Sequence, residues 1–138
     1  MPADPHRAVL LRRIVAVDGP ARVNVVLDVR AGFGRSPMTD LSRGGGCWTG
    51  RSGRLRFRWS GAARARPGAD GLAFTVTLPA RGHHDLILEL SDRALPTPPP
   101  DPDRTWAATE AAWADVVRRA RTSPRRATPA TPTPSCAG

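Results

Sequence analysis

A short stretch rich in glycine and arginine is the first feature with the residue types of a ligand site. Residues 30–35 read RAGFGR, with Gly32 and Gly34 on either side of Phe33. A phosphate-binding loop needs further glycines at fixed spacing and a following helix whose N-terminus faces the anion. A proline and a turn follow instead, so we predict that the glycines permit positive φ where a strand ends. Phe33 is then expected to be a packing residue, with a sugar-stacking platform as the alternative.

Two adjacent histidines, His83 and His84, are the next candidates, because imidazole is a common metal ligand. Neighbouring residues of a strand point to opposite faces of the sheet. The sequence places no third ligand close to them. We therefore predict no metal site, and no cofactor is indicated elsewhere in the chain.

The charge of the chain raises the question of a nucleic-acid partner. The net charge is +9, and all 21 basic residues are arginine. Arginine also alternates with apolar and aromatic residues in RLRFRW, residues 54–59, a pattern compatible with RNA binding. Arginine, alanine, glycine and proline are all abundant together, which indicates a general compositional bias rather than selection for phosphate contacts. The sequence therefore disfavours nucleic acid and favours a solvated sheet face.

Alternating apolar residues predict a mainly β fold, an antiparallel β-sandwich. The strands are expected at residues 8–17, 22–30, 54–59, 72–78 and 84–90. The first two flank an Asp-Gly turn and are predicted to form a hairpin. Residues 31–53 contain seven glycines and are predicted to be a long irregular loop, with one short strand at 47–49. One apolar face is expected on each later strand, with Leu55, Phe57 and Trp59 on one and Leu72, Phe74, Val76 and Leu78 on the next.

The composition changes after the last predicted strand. We assign residues 1–95 to the partial sandwich and residues 96–121 to a proline-rich spacer with a linker helix near 102–121. Asp101 is expected to cap that helix, and Trp106 and Trp113 share one of its faces. Residues 122–138 are rich in Pro, Thr and Ala and are predicted to be disordered.

Neither a membrane span nor a signal peptide is predicted. No apolar run reaches about 18 residues. The first residues are polar, and arginines interrupt the apolar run that follows them. A cytoplasmic location is therefore expected.

Several segments in a fixed order resemble the N-terminal β-sandwich region of bacterial family 15 glycoside hydrolases, the glucoamylase and trehalase-like enzymes. The first is the strand with the arginine pair Arg12-Arg13, and the second is RAGFGR at residues 30–35. The family tends to have Arg-Pro-x-x-Asp-Tyr-Gly-Arg there, so Phe33 replaces the tyrosine and Gly32 the aspartate. The third is TEAAW at residues 109–113. A second family tryptophan near residue 116 or 117 is valine here. The match extends over residues 6–121.

The resemblance implies a role in carbohydrate metabolism in which this region is not the catalytic part. In the family, an (α/α)6 barrel supplies a general acid and a general base, and the sandwich packs beside that barrel near the active-site entrance. The chain has two glutamates, Glu89 and Glu110, and neither matches a family role. We assign no catalytic residue and expect the chain alone to release no glucose. The barrel domain is the implied partner, and a small basic protein that binds nucleic acid or polysaccharide is the alternative.

The residues expected to pack or form an interface are arginines and aromatic residues. Asp85 and Asp92 are taken as exposed residues at strand ends. Missing strands would leave apolar faces and edges uncovered, which favours marginal stability and self-association. We expect the helix with its tryptophans to cover part of such a face. The candidate packing and interface residues are Arg30, Phe33, Arg35, Trp59, Trp106 and Trp113.

Overall fold

The chain folds into two antiparallel sheets followed by one helix, so the predicted fold class is confirmed. The computed structural model describes residues 4–122. The described elements are β1 (Arg7–Val15), β2 (Ala21–Leu27), β3 (Met38–Gly44), β4 (Cys47–Ser52), β5 (Leu55–Ser60), β6 (Arg66–Gly68), β7 (Gly71–Leu78), β8 (His83–Ser91) and α1 (Pro102–Thr122). One sheet has the order β1-β8-β5-β4-β3, and the other has the order β2-β7-β6.

The core lies between the two sheets, on the faces that the alternating pattern predicts. Phe57 and Trp59 of β5 are buried, and Leu72 and Val76 of β7 are buried opposite them. The rings of Trp59 and Phe74 meet edge to face, with centroids 5.7 Å apart. Each buried apolar side chain of this size contributes roughly 1.5–3 kcal/mol. These side chains are therefore the main source of sandwich stability.

The predicted hairpin of the first two strands is wrong. β1 pairs with β8, whereas β2 pairs with β7 in the other sheet. The backbone N–H of Ala16 donates to Gly82, and its carbonyl accepts from Arg81, each at 2.9 Å. These bonds attach the end of β1 to the β7–β8 turn. The chain then passes to the second sheet, so an Asp-Gly turn here connects two sheets rather than two paired strands.

The predicted irregular loop at residues 31–53 is also wrong over most of its length. It contains β3 and β4, which form a hairpin closed by Gly45-Gly46 with φ of +58° and +77°. Two residues with positive φ match the right-handed twist of the flanking strands. The pairing shifts register between Thr39 and Ser42, and Asp40 there has φ of +53°. Only the segment before β3 is a true loop.

The helix starts where the sequence predicts, because Asp101 accepts a hydrogen bond from the backbone N–H of Arg104 at 2.9 Å. Residues up to Trp106 belong to one compact unit, and a second unit begins at Ala107. Within the first unit, the carbonyl of Pro96 accepts a 2.7 Å hydrogen bond from Arg58. The predicted spacer is therefore bonded to the first sheet at this point.

The C-terminal segment 122–138, predicted to be disordered, lies outside the described residues except for Thr122. Along residues 4–122, no helix is long and apolar enough to cross a bilayer.

Candidate functional site

The loop after β2 has an unusual backbone that presents one aromatic side chain. We call residues 31–36 the Phe33 loop. Ala31 and Ser36 pair as an isolated bridge, and the N–H of Ser36 donates to the carbonyl of Ala31 at 3.1 Å. Gly32, Phe33 and Gly34 have φ of +62°, +58° and +85°. This region is open to glycine, but it costs an aromatic residue about 1–2 kcal/mol.

Phe33 is completely exposed, with 107% relative accessibility. The expectation that it packs within this chain is therefore wrong, because the bent backbone directs its ring away from the core. An exposed phenylalanine forgoes roughly 1.5–3 kcal/mol that burial would provide. The loop thus combines backbone strain with an uncovered apolar ring. Strained backbone and exposed aromatic residues are both enriched at binding sites.

A buried serine holds the Phe33 loop in place. The Ser52 hydroxyl accepts from the N–H of Ala31 at 2.8 Å and donates to the carbonyl of Ser36 at 2.6 Å. Ser52 itself has no exposed surface. It ends β4, so its two hydrogen bonds fix both ends of the loop to the first sheet. A fixed loop loses little entropy on binding, which favours affinity.

The surroundings of the Phe33 loop are basic. Arg30 forms an ion pair with Asp28 at 2.8 Å. Arg35 is exposed and has no ion pair or side-chain hydrogen bond among the described residues. Gly53 of the β4–β5 turn, which precedes Arg54, lies close to the Phe33 loop, because a Cβ atom on it would be 3.0 Å from the Ser36 hydroxyl. The structure therefore places the Phe33 loop, which contains Arg35 and directly follows Arg30, beside the β4–β5 turn.

A second basic feature lies on β4 and β5, the two strands that this turn connects. Arg51 of β4 and Arg56 of β5 are directly opposite in the register, and both are exposed. Like charges in this position repel each other. Arg51 and Arg56 line a shallow cleft on the surface, and Asp40 is the acidic residue that lines it with them. An anionic ligand would relieve the repulsion between the two arginines.

The three predicted tryptophans lie elsewhere. Trp59 is 3% exposed and belongs to the core. Trp106 lies under the Arg13 guanidinium, whose central carbon is 5.1 Å from the ring centroid. Trp113 is 65% exposed, and its predicted packing role stays a prediction. None of the three belongs to the Phe33 loop.

A buried ionic network is the feature that sequence reasoning missed. It also corrects the expectation that the arginine face of residues 54–59 is solvated, because Arg58 is 6% exposed. Glu89 has no exposed surface, and Arg58 binds both of its carboxylate oxygens at 2.5 and 2.9 Å. Arg7 donates to the same carboxylate at 2.5 Å. A glutamate between Leu88 and Leu90 in an apolar strand was the available signal, because a charge in such a strand needs a partner.

Asp85 is not a simply exposed residue, contrary to expectation. Arg13 binds its carboxylate through two hydrogen bonds of 2.7 and 2.8 Å, and only 12% of the side chain is exposed. The hydrogen bonds from Arg13 hold the pKa of Asp85 below its ordinary value, although burial acts in the opposite direction. His83 lies 3.8 Å from the carboxylate, and its charge would lower the pKa further. Asp92 is about half exposed and accepts from His6 at 3.1 Å.

Acid should remove the stability that Asp85 provides. A carboxylate with a depressed folded-state pKa stabilises the fold above its unfolded pKa of about 3.9. That contribution is lost as the pH falls through the lower folded-state pKa. The melting temperature of Asp85→Asn should therefore lie below that of the wild type at neutral pH, and the difference should shrink as the pH falls below the unfolded pKa and through the lowered folded-state pKa. Asp18→Asn, an exposed turn residue, is the control. A difference that does not change with pH would contradict this assignment.

The described residues hold no obvious metal centre. In residues 4–122, no group of three His, Cys, Asp or Glu side chains is placed to bind a metal ion. His84 is instead within 2.6 Å of the Gly61 carbonyl, which accepts its hydrogen bond.

Comparisons with family models, curated proteins and solved structures found no match for this chain.

Proposed function

We propose that this chain is a non-catalytic β-sandwich module that docks onto another domain through the Phe33 loop. The observation behind this proposal is the fully exposed Phe33 ring on a loop that Ser52 holds at both ends. The partner that the sequence resemblance implies is the (α/α)6 barrel of a family 15 glycoside hydrolase. The module would contribute to carbohydrate metabolism by packing beside that barrel.

The environment of Glu89 supports a role without catalysis. A glycosidase acid or base must reach the substrate and exchange a proton with it. Arg58 occupies both oxygens of Glu89, and the side chain has no contact with solvent. The buried Arg58 and the half-buried Arg7 both donate hydrogen bonds to this carboxylate. Its geometry suits a structural ion pair rather than proton transfer.

The chemistry of the Phe33 loop defines the surface that it would fit. Phe33 needs an apolar pocket, because the ring has no polar atom. Arg35 beside it has no acidic partner within the described residues, so acidic groups at the rim of that pocket would be favourable. A central aromatic residue surrounded by polar contacts is the usual arrangement of a binding hot spot.

The proposal is tested by mixing the chain with the catalytic barrel of a family 15 glycoside hydrolase prepared without its own sandwich. We expect the two to co-elute in gel filtration, and we expect no glucose release from trehalose, maltose or starch by the chain alone. Phe33→Ala should abolish co-elution without changing the melting temperature, because the ring makes no contact in the free module. The control is Val26→Ala, an exposed apolar residue of β2. Failure of the wild-type chain to co-elute, or glucose release that requires Glu89, would contradict the proposal.

A second candidate function is polyanion binding, favoured by the opposed pair Arg51 and Arg56. Single-stranded nucleic acid offers both phosphates for arginine and bases for stacking on Phe33. Fluorescence anisotropy with a labelled single-stranded oligonucleotide tests it, with neutral starch as the uncharged ligand. Binding that weakens with salt and with the double variant Arg51→Ala/Arg56→Ala would support this function. Absence of such binding would contradict this second function and leave docking onto another domain as the proposed function.

A further inference from the structure

β1 is an unusually open edge strand. It pairs with β8 on one side, and no described strand pairs with its other side. Its nine residues pair continuously, without a proline or a bulge. Val9, Leu10 and Val15 are 39%, 53% and 53% exposed. Natural edge strands are protected by bulges, prolines, short length or charged side chains. β1 has only the last of these, in its three arginines, so its backbone can still pair with another strand wherever the arginines are accommodated.

Three other described strands have a free edge. β2 has seven residues against the nine of β1, while β3 and β6 are less suited to pairing. β3 has a register shift near Asp40, where the backbone has positive φ. β6 has three residues, one of which is Pro67. A cleft of about 500 Å³ also lies between β1 and β2, and Leu10 and Ile14 line it. Arg12 and Asn24 also line the cleft, and an additional strand beside β1 would extend the sheet next to its apolar residues.

We propose that β1 pairs antiparallel with β1 of a second copy of this chain, with Leu11 facing Leu11 of the second copy. This pairing joins two five-stranded sheets into one continuous sheet. It uses all nine residues of β1, from Arg7 opposite Val15 to Val15 opposite Arg7. It is independent of docking through the Phe33 loop.

The pattern of arginines in β1 selects this register. In an antiparallel pair, a residue whose backbone groups point toward the partner must face a residue of the same kind. When two copies of β1 pair antiparallel, one residue therefore faces its own copy, and we call that residue the centre of the pairing. Alternative registers differ in which residue of β1 is the centre. A centre at Leu10 places Arg7 opposite Arg13, and a centre at Arg12 places that arginine opposite its own copy. Like charges directly opposite destabilise a sheet.

The register centred on Leu11 avoids every such repulsion. Leu10 faces Arg12 of the second copy, and Val9 faces Arg13 of the second copy. The aliphatic part of an arginine side chain covers apolar surface while its charged end stays in water. The partly exposed Leu10 would therefore be covered twice, once in each half of the dimer.

Substitutions of opposite charge at Leu10 test the register. Sedimentation of the full chain over a wide range of concentrations should show a dimer of the wild type. Leu10→Glu would face Arg12 of the second copy and should retain the dimer, whereas Leu10→Arg should dissociate it, with dissociation constants that differ by about ten-fold or more. Val116→Glu and Val116→Arg make the same change of net charge on an exposed residue of α1 and should not differ in this way. A monomeric wild type, or equal effects of the two Leu10 variants, would overturn the proposal.

Disulfide cross-linking gives a second test that does not depend on charge. In a Cys136→Ser background, Leu11→Cys would face its own copy at a distance that suits a disulfide. Cys47 is buried, so it should not interfere. We expect mild oxidation to yield covalent dimers with Leu11→Cys and not with Val9→Cys. Equal cross-linking of both variants, or of neither, would contradict the proposed register.

Discussion

Replacing Glu89 with alanine should lower the free energy of unfolding by about 3–5 kcal/mol, because it leaves the buried Arg58 and the half-buried Arg7 without a counter-charge. Arg58 and Arg7 both donate to this carboxylate. A domain of this size is stable by only about 5–15 kcal/mol. The melting temperature should therefore fall by about 10–20 °C, measured by thermal unfolding.

The control for this prediction is Glu110→Ala, which removes an exposed carboxylate from α1. Its effect should stay within about 0.5 kcal/mol. The triple variant Arg7→Met/Arg58→Met/Glu89→Leu should recover most of the lost stability, because apolar residues of similar volume often replace a buried ion pair at little cost. A Glu89→Ala variant that melts at the wild-type temperature would show that the network contributes nothing.

Gly71→Ala should destabilise the fold by about 3–5 kcal/mol, since strain and overlap act together there. Gly71 begins β7 with φ of +117°, and a Cβ atom on it would overlap the carbonyl oxygen of Leu27. That carbonyl belongs to the paired strand β2, so neither strand can move away without breaking the ladder. Chemical denaturation measures the change.

Two glycines of the β3–β4 hairpin separate strain from overlap. Gly45 has φ of +58° with open space around it, so Gly45→Ala should cost about 1 kcal/mol from backbone strain alone. Gly44 has neither positive φ nor a close neighbour, and Gly44→Ala should have almost no effect. Equal losses at Gly44 and Gly71 would contradict the role of the close approach.

The faces of the strands were predictable from the sequence, but several of their partners were not. Alternation in β5 correctly placed Phe57 and Trp59 in the core, because a period of two determines which side chains share a face. It says nothing about which strand lies alongside. The predicted hairpin therefore failed, since hydrogen bonds between Ala16 and the distant β7–β8 turn direct β1 to β8.

The candidate site was predicted in part. The glycines around Phe33 indicated positive φ correctly, yet the position of the ring depends on how Ser52 holds the loop from 21 residues away. The Glu89 network has the same long-range origin, because its arginines are 31 and 82 residues distant in the chain. Local patterns contain no information about such contacts.

Calorimetric titration of the chain into the catalytic barrel of a family 15 glycoside hydrolase tests docking through the Phe33 loop most directly. The account predicts saturable binding that Phe33→Ala weakens by about 30-fold or more, the loss expected for an aromatic hot spot worth about 2 kcal/mol. Val26→Ala should bind as the wild type does. Equal affinities of the wild type and Phe33→Ala, or no binding by either, would contradict the account.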